Sequence, residues 1–504
     1  MRTSCKLMPA MLIVCLGIMS VNSDCVLAVS PFGSNNPFAS SQGNTSDYLQ
    51  DLGVGWISDQ LQRTSIEQMN ESPDGVAFLY DFSVIDGKLS EYGEETHSNA
   101  WFVINVDSCF RFRDGKQIGD TDRYLPNGPN SRQAYESYLT SLIQYVNNKV
   151  PGWQVKYWSI DNEQAGMYFD AFGDDKNGAK KAAKAYATLV EASYNIIKSL
   201  YPDAKIVLGG PGSSTSRKEY NRFYKKVLEV LKKKGDCFDF FDYHNFNSFQ
   251  KYKENAKGKD LNFFTQLLQD TGWGDKPIII KAGATHSGMD KNGIKRLRQY
   301  QTEKEQAQHL LKRFIYHIAK GVKLILWGTI REYVFFNGDD TSFYNYTGLV
   351  YNGIPKSEDC NPEIQLPCPD PGDGIKKLSY YTFKLQMEKV DGCDWDNVQT
   401  LVGGQDNIYV YRLTKQGTGD PIWVAWWDYF DEELYSPGDS KTITLNVGSV
   451  AAVQITEAIP DAQSGADLNE NDYPNFFVTQ SKSVVGGEVS LLLKEIPVFV
   501  QISG

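Results

Sequence analysis

A chain of 504 residues is too long for one ordinary domain of roughly 150 residues, with barrels as the known exception. Apolar residues at 41% and charged residues at 22% exclude a disordered chain. The net charge of -11 opposes nucleic acid and anionic membranes as partners, because neutralising phosphate requires clustered Lys and Arg.

The N-terminus carries Arg2 and Lys6, an apolar run from Met8 to Met19 and small residues from Ser23 to Ser30. This is the layout of a secretory signal over residues 1–29, and it implies a secreted or surface-located protein. The run is too short to span a bilayer. Cleavage near Ala28 fits the layout, and lipidation of Cys25 is the alternative. Beyond the leader, Cys360 and Cys368 sit in a Pro-rich loop that suits a local disulfide, whereas Cys109 and Cys237 flank predicted strands and suit buried thiols.

A Gly, Asn and Ser-rich segment (31–46) precedes a first predicted strand at Leu52 to Ile57 and a helix at Ser58 to Met69. Strands two and three are expected at Gly75 to Ile85 and Ala100 to Val106. Ser131 to Asn148 has apolar residues at helical spacing, followed by strand four at Val155 to Ile160, a helix at Ala179 to Leu200 and strand five at Ala204 to Leu208. The alternation continues with helix Tyr220 to Leu231, strand Phe238 to Tyr243, helix Leu261 to Gln269, strand Pro277 to Ile280, helix Glu303 to Ala319, strand Lys323 to Trp327 and a closing helix at Ile375 to Lys389. Apolar strands interleaved with amphipathic helices pair in parallel and are covered on both faces, and eight such units close into a (β/α)8 TIM barrel, placed here at residues 45–392. From 393 to 504 the helical period is lost. Asn407 to Thr414, Ile422 to Trp427, Lys441 to Val447, Ala452 to Thr456 and Glu488 to Ile502 predict a C-terminal β-sandwich domain.

In such a barrel the C-terminal strand ends converge on one mouth. In order they offer Trp56, Asp81, Asp107, Asn162 with Glu163, His244 with Asn245, Ala282 and Trp327. This rim has no phosphate-cradling Gly loop and no His and Cys spacing for a metal, so no cofactor is implied. With 29 Tyr and 10 Trp in the chain, a polar and aromatic rim suits a neutral polyhydroxylated ligand, an oligo- or polysaccharide, although most of these rings are expected to pack between layers.

Trp158, Ile160, Asn162 and Glu163 in the order Trp-x-Ile-x-Asn-Glu, His244 closing strand six, the strand-seven segment PIIIKAGATHSG and Trp327 on the last strand together carry a resemblance. The chain resembles the clan of retaining (β/α)8 glycoside hydrolases, in the flavour of family 39 and its relatives, which also carry a C-terminal β-sandwich. The resemblance implies hydrolysis of β-linked oligo- or polysaccharide, with Glu163 as general acid/base and Asn162 bonded to the sugar 2-hydroxyl. His244 would help position the sugar and the attacking group, with Trp56 and Trp327 as sugar platforms. It places the nucleophile at position 282, where this chain has Ala. A retaining mechanism needs two carboxyl groups about 5 Å apart, and a methyl group replaces neither role.

Three readings of Ala282 stand open: an engineered nucleophile knockout, a natural carbohydrate-binding pseudoenzyme or surface scaffold, or a different register in which Glu332 or Asp242 supplies the second carboxyl. Blander roles compete as well. Glu163 in the first turn of a helix would be favoured by the helix dipole, His244 suits a structural histidine, and Trp327 suits core packing. His286 and Ser287 are adjacent, so their side chains diverge and form no nucleophile-base pair. Lys281 is expected to point away from the face of position 282, into the helix layer or a polar gap.

Overall fold

The computed structural model describes residues 32–35, 46–61, 63–69, 79–86, 101–108, 112–113, 116–117, 129–149, 155–173, 175–212, 220–249, 261–288, 301–333, 343–353, 372–431 and 434–503. The predicted leader, Cys25, Cys109, Cys360 and Cys368 lie outside them. Eight parallel strands close into a barrel: β1 (Phe32–Asn35), β2 (Trp56–Leu61), β3 (Trp101–Val106), β4 (Val155–Ile160), β5 (Lys205–Leu208), β6 (Phe240–Asp242), β7 (Ile278–Gly283) and β8 (Ile325–Trp327). Closure comes from β1, which pairs Gly33 with Trp56 on one side and with Leu326 on the other. The fold class expected from the sequence is the one observed.

The first two strands correct the expectation. The barrel opens at Phe32, inside the segment expected to precede it, and the stretch around Trp56 forms the second strand. The helix expected over Ser58 to Met69 is instead the remainder of β2, a short turn at Arg63–Ile66 and a three-residue strand, Glu67–Met69. That strand pairs antiparallel with Leu79–Tyr80, so the expected strand two is an excursion outside the barrel. Asp81 then caps a 3-10 turn, accepting from the Ser83 backbone N–H at 3.0 Å, and closes no barrel strand.

The helices around the barrel include α1 (Ser46–Asp51), α2 (Pro129–Lys149), α3 (Ala165–Phe172), α4 (Lys176–Leu200), α5 (Lys225–Lys234), α6 (Leu261–Asp270), α7 (Glu303–Ala319) and α8 (Leu378–Val390). Their stripes follow the sequence period: α4 buries Ala182, Ala183, Tyr186, Leu189, Val190 and Ile197. Asp175 caps α4 by accepting from the Asn177 and Gly178 N–H groups, and a reciprocal Thr302 and Glu305 capping box opens α7. Inside the barrel, Trp56, Val103, Val207, Ile279, Leu324 and Leu326 form a separate apolar cluster. Because Trp56 is the first residue of β2, it belongs to this plug at the N-terminal end, its ring tilted against that of Tyr157 with centroids 4.6 Å apart. The mouth is at the other end, so the expected role of Trp56 as a sugar platform is corrected.

The C-terminal region is a six-stranded sheet in the order Gln399–Gly403, Ile408–Thr414, Pro421–Trp427, Val498–Ile502, Ala452–Glu457, Thr479–Ser483, covered by the pair Lys441–Asn446 and Glu488–Leu493. Val410, Trp423, Ala425, Val453, Leu491 and Val500 fill the space between the sheets. The strands missed from sequence, Gln399–Gly403 and Thr479–Ser483, are the edges, largely exposed and therefore without apolar alternation. Helix α7 joins this domain to the barrel through a fully buried pair, Lys312 and Asp428 at 3.1 Å, and through Glu303, whose carboxylate accepts from the N–H groups of Leu378 and Gly465. Cys237 and Cys393 are buried thiols.

Candidate active site

The exit of β4 turns sharply. Asp161 and Glu163 both adopt left-handed backbone, with φ of 56° and 50°, a conformation that costs a non-glycine residue of order 1–3 kcal/mol. The neighbouring structure fixes it. Asp161 accepts from the backbone N–H of Ser108 at 2.8 Å and from its hydroxyl at 2.9 Å, so the exit of β3 clamps the exit of β4. On the next side, the Tyr186 hydroxyl of α4 donates to the Ile160 carbonyl at 2.7 Å, and the Gln164 amide donates to the Gly209 carbonyl at 2.9 Å. Strain held by this many partners is the mark of a site rather than of a plain helix start, since helix α3 begins only at Ala165.

The clamped turn presents Glu163 to His244. Glu163 Oε1 lies 2.6 Å from His244 Nδ1, and His244 Nε2 lies 3.1 Å from Asp242 Oδ2. Behind Asp242 stands Lys281. Its backbone N–H donates to Asp242 Oδ1 at 2.8 Å, its ammonium lies 3.8 Å from Oδ2, and the same ammonium donates to Ser159 Oγ at 3.0 Å. A continuous polar line thus runs from β4 through β6 to β7 and back to β4. Glu163, with its side chain 36% exposed, is the end that meets solvent, whereas the His244 side chain is 2% exposed and that of Asp242 is fully buried. Asn162, half-buried, sits beside Glu163 at the same turn.

The charges follow from this order. Burial alone pulls the His244 imidazolium down, but the carboxylates of Asp242 and Glu163 more than offset it and raise its pKa to about 9. Burial would raise Glu163, and the hydrogen bond and charge of His244 outweigh it, holding that carboxyl below the usual glutamate range. Asp242 is held low by His244 and Lys281 against its burial, and burial depresses Lys281. At neutral pH the line therefore reads carboxylate, imidazolium, carboxylate, ammonium. Glu163 accepts hydrogen bonds and His244 holds the proton.

The exit of β7 is built differently. Its register against β8 slips between Ile280 and Gly283, an irregularity that re-aims side chains. Lys281, expected in the helix layer or a polar gap, instead sends its ammonium across the barrel interior to Ser159 and Asp242. Ala282 is buried, 5% exposed, and its carbonyl accepts from the Asn245 N–H at 3.0 Å. Neither alternative second carboxyl is at liberty. Glu332 is buried and ion-paired to Lys377, which also donates to Ser287 Oγ at 2.8 Å, and Asp242 is engaged by His244 and Lys281. Trp327 is sealed as well: its indole N–H donates to the Thr347 carbonyl at 2.9 Å and its ring packs edge-on to Phe314 of α7. The expected sugar platform is therefore a core residue. Its strand ends facing the helices.

Of the residues predicted from sequence, the structure gathers Asn162, Glu163 and His244 and removes Trp56 and Trp327; Ala282 groups with Ile278, Ile280 and Ala284 in the large apolar core, and Lys281 rather than position 282 sends its side chain inward, the reverse of the expected facing. Asp242, Lys281 and Ser159 were missed as members of one network. Their inward alternation on β4, β6 and β7 is the signal that could have found them. Among the described residues no group of three or more His, Cys, Asp and Glu is placed to hold a metal ion, and no helix is long and apolar enough to cross a membrane.

No protein-family model and no curated protein sequence matches the chain. Solved structures do. The GH39 enzyme from Xanthomonas axonopodis pv. citri superposes with a TM-score of 0.56 at 11% identity, covering 95% of this chain and 95% of that one. A monomeric beta-xylosidase from Caulobacter crescentus CB15 gives 0.55 at 12%, covering 94% and 96%. The catalytic domain of GH30 xylanase C from Talaromyces cellulolyticus gives 0.51 at 15%, covering 94% and 96%. At these identities the likeness establishes a shared architecture over nearly the whole chain.

Proposed function

We propose that the protein is a carbohydrate-active barrel of the retaining glycoside hydrolase clan, exported from the cell, whose mouth takes β-linked oligo- or polysaccharide and holds it rather than cutting it. The observation that carries this reading is the contrast between Glu163 and position 282. Glu163 stands at the exit of β4, where that clan keeps its acid/base, with Asn162 and His244 beside it. At the exit of β7, where the nucleophile belongs, the chain has the Ala282 methyl and an inward ammonium. Double displacement needs a carboxylate there, and it needs the acid/base protonated before the leaving oxygen departs. The Ala282 methyl fails the first demand and a Glu163 held ionised by His244 fails the second, yet that carboxylate is well formed to accept a hydrogen bond from a sugar hydroxyl. The glycosidases that share the fold, and the leader-like N-terminus, support saccharide and export respectively.

Restoration tests this reading. The parent chain should bind members of a glycan panel in calorimetry without turning them over, and Ala282→Glu should hydrolyse, with retention, an aryl β-glycoside whose activated leaving group departs without protonation, the ionised Glu163 then serving as base for the attacking water. Azide added to the parent with an activated substrate should give the inverted glycosyl azide, because a small anion fits where the carboxylate is missing. A correctly folded Ala282→Glu chain that neither binds glycan nor hydrolyses a glycoside would sink the assignment. Binding without turnover in both chains would select the second reading, a natural saccharide-binding protein. That reading is favoured by the engagement of Lys281 with Ser159 and Asp242, which fills the interior of the strand-seven wall with a charge of the wrong sign for a nucleophile.

A further inference from the structure

We infer that Gly212 is a positioning residue for Glu163: the side chain absent at the end of the β5 exit leaves the space in which the Glu163 carboxylate lies, and this sets its bond to His244. The β5 exit runs Gly209, Gly210, Pro211, Gly212, and the three glycines are required for two different reasons. A Cβ on Gly209 would strike the carbonyl oxygens of Ile160 and Asp161, and a Cβ on Gly210 would strike the carbonyl of Asp242 and the Cα of Tyr243. Those contacts are all backbone. They bring the exits of β4, β5 and β6 together, and no side chain can give way there.

Gly212 differs. A Cβ there would lie 2.5 Å from Glu163 Cδ and Oε2 and 2.9 Å from Oε1, the atom bonded to His244. The three nearest atoms all belong to the flexible end of one side chain. Gly212 itself avoids left-handed backbone, so conformational freedom is not the reason for glycine. Its smallness instead lets the carboxylate lie against the backbone with Oε1 turned to the imidazole. Adding one methyl group should therefore leave the fold intact and push Glu163 off His244.

This inference stands on the contact between residues 212 and 163 and is independent of whether the mouth takes a sugar. The test is the titration of the His244 imidazole by NMR in full-length protein, with the resonance identified by its loss in His244→Gln. In Gly212→Ala the His244 pKa should fall by about one unit, the effect of removing one carboxylate partner, while the unfolding midpoint stays close to that of the parent. In a Glu163→Gln background the same substitution should add no further shift, because its route runs through the Glu163 charge. An equal fall in both backgrounds, or no fall in either, would overturn the inference. A Gly212→Ala chain that does not fold would do the same, since it would mean that backbone rather than a carboxylate has to yield.

Discussion

The exits of β4 and β7 face one another across the barrel and are held by opposite means. Around β4 the backbone itself is strained, at Asp161 and Glu163, and is locked from outside by Ser108, Tyr186 and Gln164. Around β7 the described backbone from Ile278 to Ser287 has φ in ordinary regions and the charge lies inside, as an ammonium between Ser159 and Asp242. One wall invests its stability in aiming a single carboxylate at the mouth, the other in neutralising a buried one. Strain at a strand end points to function, whereas a buried ion pair is weak grounds for it, because such pairs also arise to satisfy one another. This difference is why the place of the site is read from Glu163, whereas Lys281 bears only on the choice between binding and turnover.

The largest expected effect breaks the β7 side. Lys281→Met removes the ammonium and leaves Asp242 fully buried with His244 as its charged partner. Stripping one member from a buried pair costs about 3–5 kcal/mol, and because His244 stays in place a loss near the lower end, about 3 kcal/mol, is expected in denaturant unfolding. A loss below about 0.5 kcal/mol, the range of an ordinary surface substitution, would show that the ammonium contributes little and that the two walls are not held differently.

The His244 charge sharpens the same contrast from the β4 side. Its folded pKa, about 9, lies above the roughly 6.5 of an unfolded imidazole. Protons are therefore bound more tightly in the folded state, so the stabilisation is complete below the unfolded value and is lost as pH rises through about 9. Its size is of order 3 kcal/mol. Unfolding free energies measured at intervals from pH 6 to pH 10 should fall more steeply in the parent than in His244→Gln. Parallel curves for the two proteins would mean that His244 is neutral in the folded chain, and the assignment of the proton to it would fail.

Much of this architecture was legible from hydrophobic period alone. Strands three to eight and the helices between them are long apolar or amphipathic runs, and α7 begins and ends where its period and capping residues place it. The failures have local causes. Phe32–Asn35 is a four-residue strand of Phe, Gly, Ser and Asn with no apolar run to reveal it, and missing it promoted Trp56 from the floor of the barrel to its rim. Glu163 and His244 were legible because each lies within about one turn of the end of a strand whose direction is unambiguous. Lys281 and Trp327 were misplaced because the inward face of each strand was misassigned: Ile279 and Leu326 point into the barrel, so alternation sends Lys281 inward and Trp327 toward the helices. Gly212 could have been noticed in the run Gly-Gly-Pro-Gly after strand five, but only the position of the Glu163 carboxylate gives that glycine a purpose.

The smallest effect tests whether the strain at the β4 exit is held from β3. Ser108→Ala deletes the hydroxyl that donates to Asp161 Oδ2 but keeps the backbone N–H that donates to Oδ1. One hydrogen bond to a carboxylate is lost and one is kept. The oxygen left behind is buried, so the expected cost is about 1.5–3 kcal/mol if nothing replaces the hydroxyl and about 1 kcal/mol if a water does. Amide hydrogen exchange separates a local hold from a global one: if Ser108 clamps the turn, protection at residues 161–164 should fall further than protection across β4 itself. Uniform loss over the whole strand would place the strain of Asp161 and Glu163 under the control of the barrel as a unit, and the contrast between the two exits would then lie in their charges alone.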